Sequence, residues 1–399
     1  MTPGSLRRPD SDPIGLGIAG LGMAGAMMVR AAGRHPGFRL CAAADPLAAP
    51  REAFSRDFNA RAYADIGALC EDPAVAAVYV ATPHQFHAAH AIRAAAAGKH
   101  IILEKPMALT LGDCDQIIAA VTKAGVHLII GHTHAYDPAV RLMRSLIASG
   151  ELGRLGMIAS WNYTNYLYRP RRPEELDTAQ GGGILFNQVP HQIDVVRLLG
   201  GGLVKSVRAA AGALDPARPT DGHAIAFLAL ADGVAASLVS GGYDFFDSDE
   251  WHDWISERGT RKQPAHGQAR RALAGRQGGE AALRTAIYAY GADADRADEP
   301  PHQPHFGLTI ATCARGELRA SSDGVLIYGE SGRREVAIAQ GPGSIGRASV
   351  LDDLEAAIRA GRKPVHDGAW GKATLEVALA IQASAREGRE IMLRYQVGV

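Results

Sequence analysis

The chain has 399 residues, 47% of them hydrophobic and 21% charged, enough for more than one hydrophobic core and unlike a disordered segment. Its 42 basic residues balance 42 acidic ones, which argues against nucleic acid or an anionic membrane as partner and in favour of a small-molecule ligand. Four cysteines, Cys41, Cys70, Cys114 and Cys313, stand singly, without the spacing of a zinc or redox pair.

Residues 1–13 read as a disordered leader without the apolar core of a secretory signal. No stretch reaches the ~18 apolar residues of a membrane span, so a cytoplasmic protein is expected. From Ile14 to about Ile130, short apolar runs alternate with segments of helical period. This predicts a doubly wound parallel sheet with strands at Gly15–Ala19, Arg39–Ala44, Ala77–Ala81, His100–Leu103 and His127–Ile130. Helices fill the gaps, notably His87–Ala97 and Gly112–Ala124. Residues 14–136 are accordingly assigned to a domain of Rossmann type.

A helix at Pro138–Ser149 opens the remainder, residues 137–399, assigned to substrate binding and oligomerisation. Period-two runs at Gly156–Tyr163, Val204–Ala211, Ala224–Leu230, Ala235–Ser240, Gly316–Ala320, Gly324–Tyr328 and Glu335–Ala339 predict a largely antiparallel sheet. Helices are expected at Pro190–Leu199, Ala348–Ala360 and Lys372–Gly388, the final ones packing back on the Rossmann domain. The polar stretch 244–304 is too long for an ordinary connection and is expected to be a lid, an arm or a flexible insertion.

Gly20-Leu21-Gly22-Met23-Ala24-Gly25 directly follows the first strand and opens a helix, the context in which such glycines cradle a dinucleotide diphosphate at a helix N-terminus. Asp45, at the end of the second strand, is placed to accept the adenosine ribose hydroxyls and repel a 2′-phosphate, so NAD is expected over NADP. His84, His87 and His90, with His132 and His134, raise the question of a metal. No cysteine or carboxylate accompanies them at ligand spacing, and none is expected. His87 and His134 follow the C-terminal ends of strands and are expected to line the nicotinamide pocket.

Two further motifs, Ala81-Thr82-Pro83 with His87 and Glu104-Lys105-Pro106, combine with the glycine loop, Gly181-Gly182-Gly183, His191 and Asp194, and the run 371–377. Together they resemble the Gfo/Idh/MocA family of oxidoreductases. The resemblance implies a Rossmann domain joined to an α/β domain with an open-faced antiparallel sheet, and a cis peptide before Pro106; a sheet covered by helices on one face only would leave an apolar face for a symmetric partner, so a homodimer or homotetramer is expected. It places Lys105 beside nicotinamide and substrate, where burial and a cationic ring would favour loss of its proton and let it accept that of a substrate hydroxyl. The family's Asp-x-x-x-His run reads Asn187-Gln188-Val189-Pro190-His191 here, so the carboxylate is replaced by an amide. Proton transfer is assigned jointly to Lys105 and His191, with Asn187 orienting substrate and Asp194 steering the imidazole, binding substrate or lying on a helix surface.

The runs 169–175, 187–194 and Pro304-His305-Phe306-Gly307 resemble the 4,5-dihydroxyphthalate (phthalate cis-dihydrodiol) dehydrogenase branch. A hydride transfer from a carbinol of a carboxylated cis-dihydrodiol, such as 4,5-dihydro-4,5-dihydroxyphthalate, is then expected. Arg169, Arg171 and Arg172 are the candidates to hold its carboxylate by paired, charge-assisted bonds. The alternatives are a sugar or cyclitol dehydrogenase of the same family and a non-catalytic nicotinamide-binding regulator.

Overall fold

The computed structural model describes residues 12–275, 279–292, 301–339 and 346–399. Nearly all of the expected leader lies outside the described residues. The first unit runs β1 (Ile14–Ala19), α1 (Met23–Arg34), β2 (Phe38–Ala44), α2 (Ala48–Phe58), β3 (Arg61–Tyr63), α3 (Ile66–Glu71), β4 (Ala77–Val80), α4 (His87–Ala96), β5 (His100–Leu103), α5 (Leu111–Ala124) and β6 (Leu128–Ile130). The six strands are parallel in the order β3-β2-β1-β4-β5-β6. β1 and β4 are buried at every residue, as strands covered by helices on both faces must be. The chain reverses its direction of spread between β1 and β4, and this crevice beyond their C-terminal ends is where an open parallel sheet binds ligands.

The second unit comprises α6 (Pro138–Ala148), β7 (Leu155–Tyr163), α7 (Ile184–Asn187), α8 (Val189–Leu199), β8 (Val204–Gly212), β9 (His223–Leu230), β10 (Ala235–Gly241), α9 (Gln268–Ala274), α10 (Glu280–Tyr288), β11 (Leu308–Cys313), β12 (Gly316–Ala320), β13 (Gly324–Gly329), β14 (Gly332–Ala337), α11 (Gly346–Ala360), α12 (Gly368–Glu387) and β15 (Ile391–Met392). Nine strands form one sheet, β14-β13-β12-β11-β7-β10-β9-β8-β15, antiparallel throughout except between β7 and β10. Along β9 burial alternates strictly: Ala224, Ala226, Leu228 and Leu230 face the core while Ile225 and Phe227 stay exposed. α8 is buried along its whole length.

The closing helices return to the first unit. Val350, Leu351 and Leu354 of α11 share a core with Met28 and Val29 of α1, and Lys372 of α12 reaches Asp115 of α5 at 2.6 Å. The described part of 244–304 is a folded arm, while residues 276–278 and 293–300 lie outside the described residues. After α10 the arm crosses onto the Rossmann unit, where the Tyr290 N–H donates to the Leu21 carbonyl at 2.8 Å. Its hydroxyl donates to Asp57 at 3.0 Å, and its ring packs on Phe54 and Phe58. Among the described residues no helix is long and apolar enough to cross a membrane, and no group of three His, Cys, Asp or Glu side chains is placed to hold a metal ion.

Candidate active site

The glycine loop forms the floor of a cavity of about 360 Å³. Gly20 has φ +93°, and a Cβ there would lie 2.6 Å from the Ala81 carbonyl oxygen, so only glycine lets the loop pass this close to the β4 turn. A Cβ on Gly25 would meet the Gly20 oxygen at 1.8 Å, whereas one on Gly22 would meet nothing within 4 Å. Gly22 thus leaves open the space that a diphosphate needs beside the N-terminus of α1, an end that no side chain caps. Asp45 lines the same cavity. Its two carboxylate oxygens accept from the backbone N–H of Leu21 at 2.8 Å and of Leu47 at 2.9 Å, which leaves lone pairs for a ribose diol. Arg51 turns away to donate to the carbonyls of Asp45 and Pro46.

The cleft continues into a cavity of about 170 Å³ lined by Met23, Ala24, Ala81, Thr82, Pro83, Glu104, Lys105 and Asn187. His87 is buried, its ring nitrogens 2.8 Å from the carbonyls of Thr82 and Pro106, so it fastens the β4 turn to the turn after β5. The Lys105–Pro106 peptide is cis. Glu104 accepts from the Tyr79 hydroxyl and lies 3.5 Å from Arg347. Lys105 Nζ donates to the Asn187 carbonyl at 2.8 Å. Burial, assisted by Arg347 and Arg171 and opposed by Glu104 and Glu257, lowers the Lys105 pKa to about 8.

Asn187 reveals why an amide stands here. Its Nδ2 donates to the carbonyls of Gly181 at 3.0 Å and Gly183 at 2.8 Å, a pair of acceptors that a carboxylate would repel. His191, on α8, is buried, and its Nδ1 has no partner among the described residues. Its ring stands 4.8 Å from those of His134 and Phe306. Burial, then the charge of Lys105, pushes its pKa well below the usual histidine range, leaving a neutral imidazole. His134 Nδ1 is held by Asp137 at 2.8 Å.

Asp194 is fully buried and turned the other way: His366 and the Trp370 indole N–H occupy its two oxygens. It ties α8 to α12 and lines neither cavity of the cleft. The arginines part company too. Arg169 donates to Asn165 at 2.6 Å and borders a separate cavity of about 220 Å³ with Asn162, Glu257 and Tyr288. Arg171 is buried over the Tyr166 ring, donating to the Tyr166 carbonyl and to Glu175. Arg172 faces the cofactor cleft beside Glu174 and Glu175.

Sequence reasoning overlooked Glu257, Arg284 and Arg347, and weighed His84 only as a metal ligand. Burial pushes the Glu257 pKa up, but Arg169, His134 and Arg258 outweigh it and hold the group ionised, near 2. His84 meets the Gly181 carbonyl at 3.1 Å. Glu257 and Arg284 sit on the polar arm, where no period marks a facing residue, and Arg347 begins a helix whose pattern signals packing alone.

The family described as "Oxidoreductase family, NAD-binding Rossmann fold" matches residues 14–132, and the GFO/IDH/MocA C-terminal domain matches residues 140–260. A 1-carboxy-3-chloro-3,4-dihydroxycyclo hexa-1,5-diene dehydrogenase of Comamonas testosteroni is 39% identical over 381 residues, covering 92% of this chain and 93% of that protein. A solved Bordetella bronchiseptica RB50 chain described only as a dehydrogenase has a TM-score of 0.92 at 44% identity, covering 96% of this chain and all of that one. A levoglucosan dehydrogenase solved with NADH and levoglucosan shares the fold, with a TM-score of 0.71 at 20% identity over 96% of this chain and 99% of its own.

Proposed function

The chain belongs to the Gfo/Idh/MocA family of NAD-binding oxidoreductases, and from that premise we propose that it oxidises one carbinol of a small cyclic diol carrying a carboxylate, such as 4,5-dihydro-4,5-dihydroxyphthalate. The observation that carries this reading is a buried lysine of lowered pKa at the meeting of the glycine-loop cleft with the His134, His191 and Phe306 cluster. NAD, when bound, supplies the hydride acceptor. Lys105 in its neutral form takes the hydroxyl proton as the hydride leaves the same carbon, while His191 hydrogen-bonds the oxygen that becomes a carbonyl. For a cyclohexadiene diol the resulting hydroxydienone enolises to a catechol, and aromatisation draws the reaction forward.

Asn187 positions Lys105 through its backbone carbonyl and offers its side-chain oxygen to the substrate. Of the three arginines we assign the substrate carboxylate to Arg169, which borders the neighbouring cavity beside Glu257. Arg171 turns its Nε to the Tyr166 carbonyl and its Nη1 to Glu175 and borders none of these cavities, which favours a structural role. Asp45 favours NAD over NADP. A cytoplasmic homo-oligomer completes the reading. The polar lining of the Arg169 cavity, with Asn162, Thr164 and Ser256, favours a second reading, a sugar or cyclitol dehydrogenase.

A substrate panel separates the two: a carboxylated cyclohexadiene cis-diol, the same diol without its carboxylate, inositol and a hexose, each with NAD. The carboxylated diol should exceed its neutral counterpart in kcat/KM by about tenfold or more, the usual worth of one charged hydrogen bond. Higher rates with inositol or the hexose than with either diol would hand the function to the second reading.

A further inference from the structure

The Rossmann loop is electrically bare. Residues 20–25 carry no charge, yet a dinucleotide brings two negative charges to it. Both guanidinium groups that border the two cavities of the cleft, Arg172 and Arg284, come from the second unit. Arg284 lies on α10, whose inner side also presents Thr285 and Tyr288 to the glycine-loop cavity. Its side chain is only 15% exposed and pairs with Glu175 at 2.9 Å. Glu175 is shared with Arg171 and Arg172, so three guanidinium groups meet two carboxylates, Glu174 and Glu175, with Lys105 nearby. Arg172 and Arg284 thus bring guanidinium groups to the rim of a cleft whose glycine loop has none, and an anion bound there would gain them as partners. The arm is pinned over this spot by the bond between the Tyr290 N–H and the Leu21 carbonyl, inside the glycine loop itself.

We infer that Arg284, carried over the glycine loop by the 280–292 arm, is a ligand of the cofactor diphosphate, so that the second unit binds the dinucleotide as well as the substrate. The inference rests on NAD occupying the glycine-loop cleft. In this arrangement the α1 N-terminus receives one side of the diphosphate and Arg284 the other, with Glu175 orienting the guanidinium plane.

Calorimetric titration of the full chain with NAD, ADP-ribose and adenosine tests it, comparing wild type with Arg284→Ala and Arg284→Lys. Arg284→Ala should weaken NAD and ADP-ribose alike by about tenfold or more and leave adenosine, which lacks phosphate, unchanged. Arg284→Lys, retaining a cation on a similar stem, should recover part of the loss. Unchanged NAD binding in Arg284→Ala, or equal weakening of all three ligands, would overturn the inference. Wild-type protein that binds no NAD would remove the cofactor reading and this inference together.

Discussion

Asn187 occupies the place where the family's run has aspartate, and its surroundings explain the change. Two carbonyl oxygens, of Gly181 and Gly183, need donors, and one amide nitrogen serves both. A carboxylate at this position would face both oxygens with lone pairs only, loosening the loop whose neighbouring carbonyl holds Lys105. Asn187→Asp, although it restores the family residue, should therefore lower kcat by about tenfold, with NAD affinity little changed. Steady-state kinetics alongside cofactor titration reads this directly. A rise in kcat would mean that the missing carboxylate, rather than the loop, limits the reaction.

Among the elements, α8 and α12 are coupled by a buried polar knot. Asp194 accepts from Trp370 at 2.5 Å and from His366 at 3.1 Å, while Arg197 stacks on the Trp370 ring and donates to Thr374. Removing the carboxylate leaves a buried indole N–H without its acceptor and takes one of two negative charges from near a buried guanidinium, so Asp194→Ala should cost about 3 kcal/mol in denaturant unfolding. Burial raises the Asp194 pKa, but His132, His366 and Trp370 outweigh it and hold the group near 2, below the ~3.9 of an unfolded aspartate. Its stabilisation is thus complete above about pH 4 and lost as pH falls through 2, and wild type and Asp194→Ala should converge in stability under acid.

The same helix shows what sequence could reveal. The apolar spacing of 190–199 predicted α8, but period alone does not say which way each polar residue turns in an element buried all round, so Asp194 had to be seen. Strands with strong alternation were legible to within two or three residues. β3 and β15 are three and two residues long, too short for a period, and β11 was hidden at the end of the polar arm. The glycine loop was readable from local chemistry and Lys105 and His191 were named through the family resemblance, whereas Glu257 and Arg284 reach their cavities through tertiary folding of the arm.

At the scale of the whole molecule, the nine-stranded sheet leaves one broad face with Met157, Ile225 and Phe227 exposed. Isolated soluble chains seldom present so much apolar surface on a flat sheet, and a second copy related by a two-fold axis would cover it. Sedimentation at micromolar concentration should give a species larger than the 42.1 kDa chain, and Phe227→Arg should shift it towards the monomer. A monomeric wild type would contradict that assembly. The proposed reaction turns on a narrower feature, the lysine at the seam of the two units. With pKa near 8, Lys105 is the active base only when neutral, so kcat/KM for diol oxidation should climb as pH rises through about 8 and level off above it. The most direct measurement is this pH profile in wild type and Lys105→Met, with NAD affinity determined in parallel. The account predicts unchanged NAD binding, turnover lower by ~100-fold or more in Lys105→Met, and loss of the inflection near pH 8. Near-normal turnover in Lys105→Met with the inflection intact would contradict it.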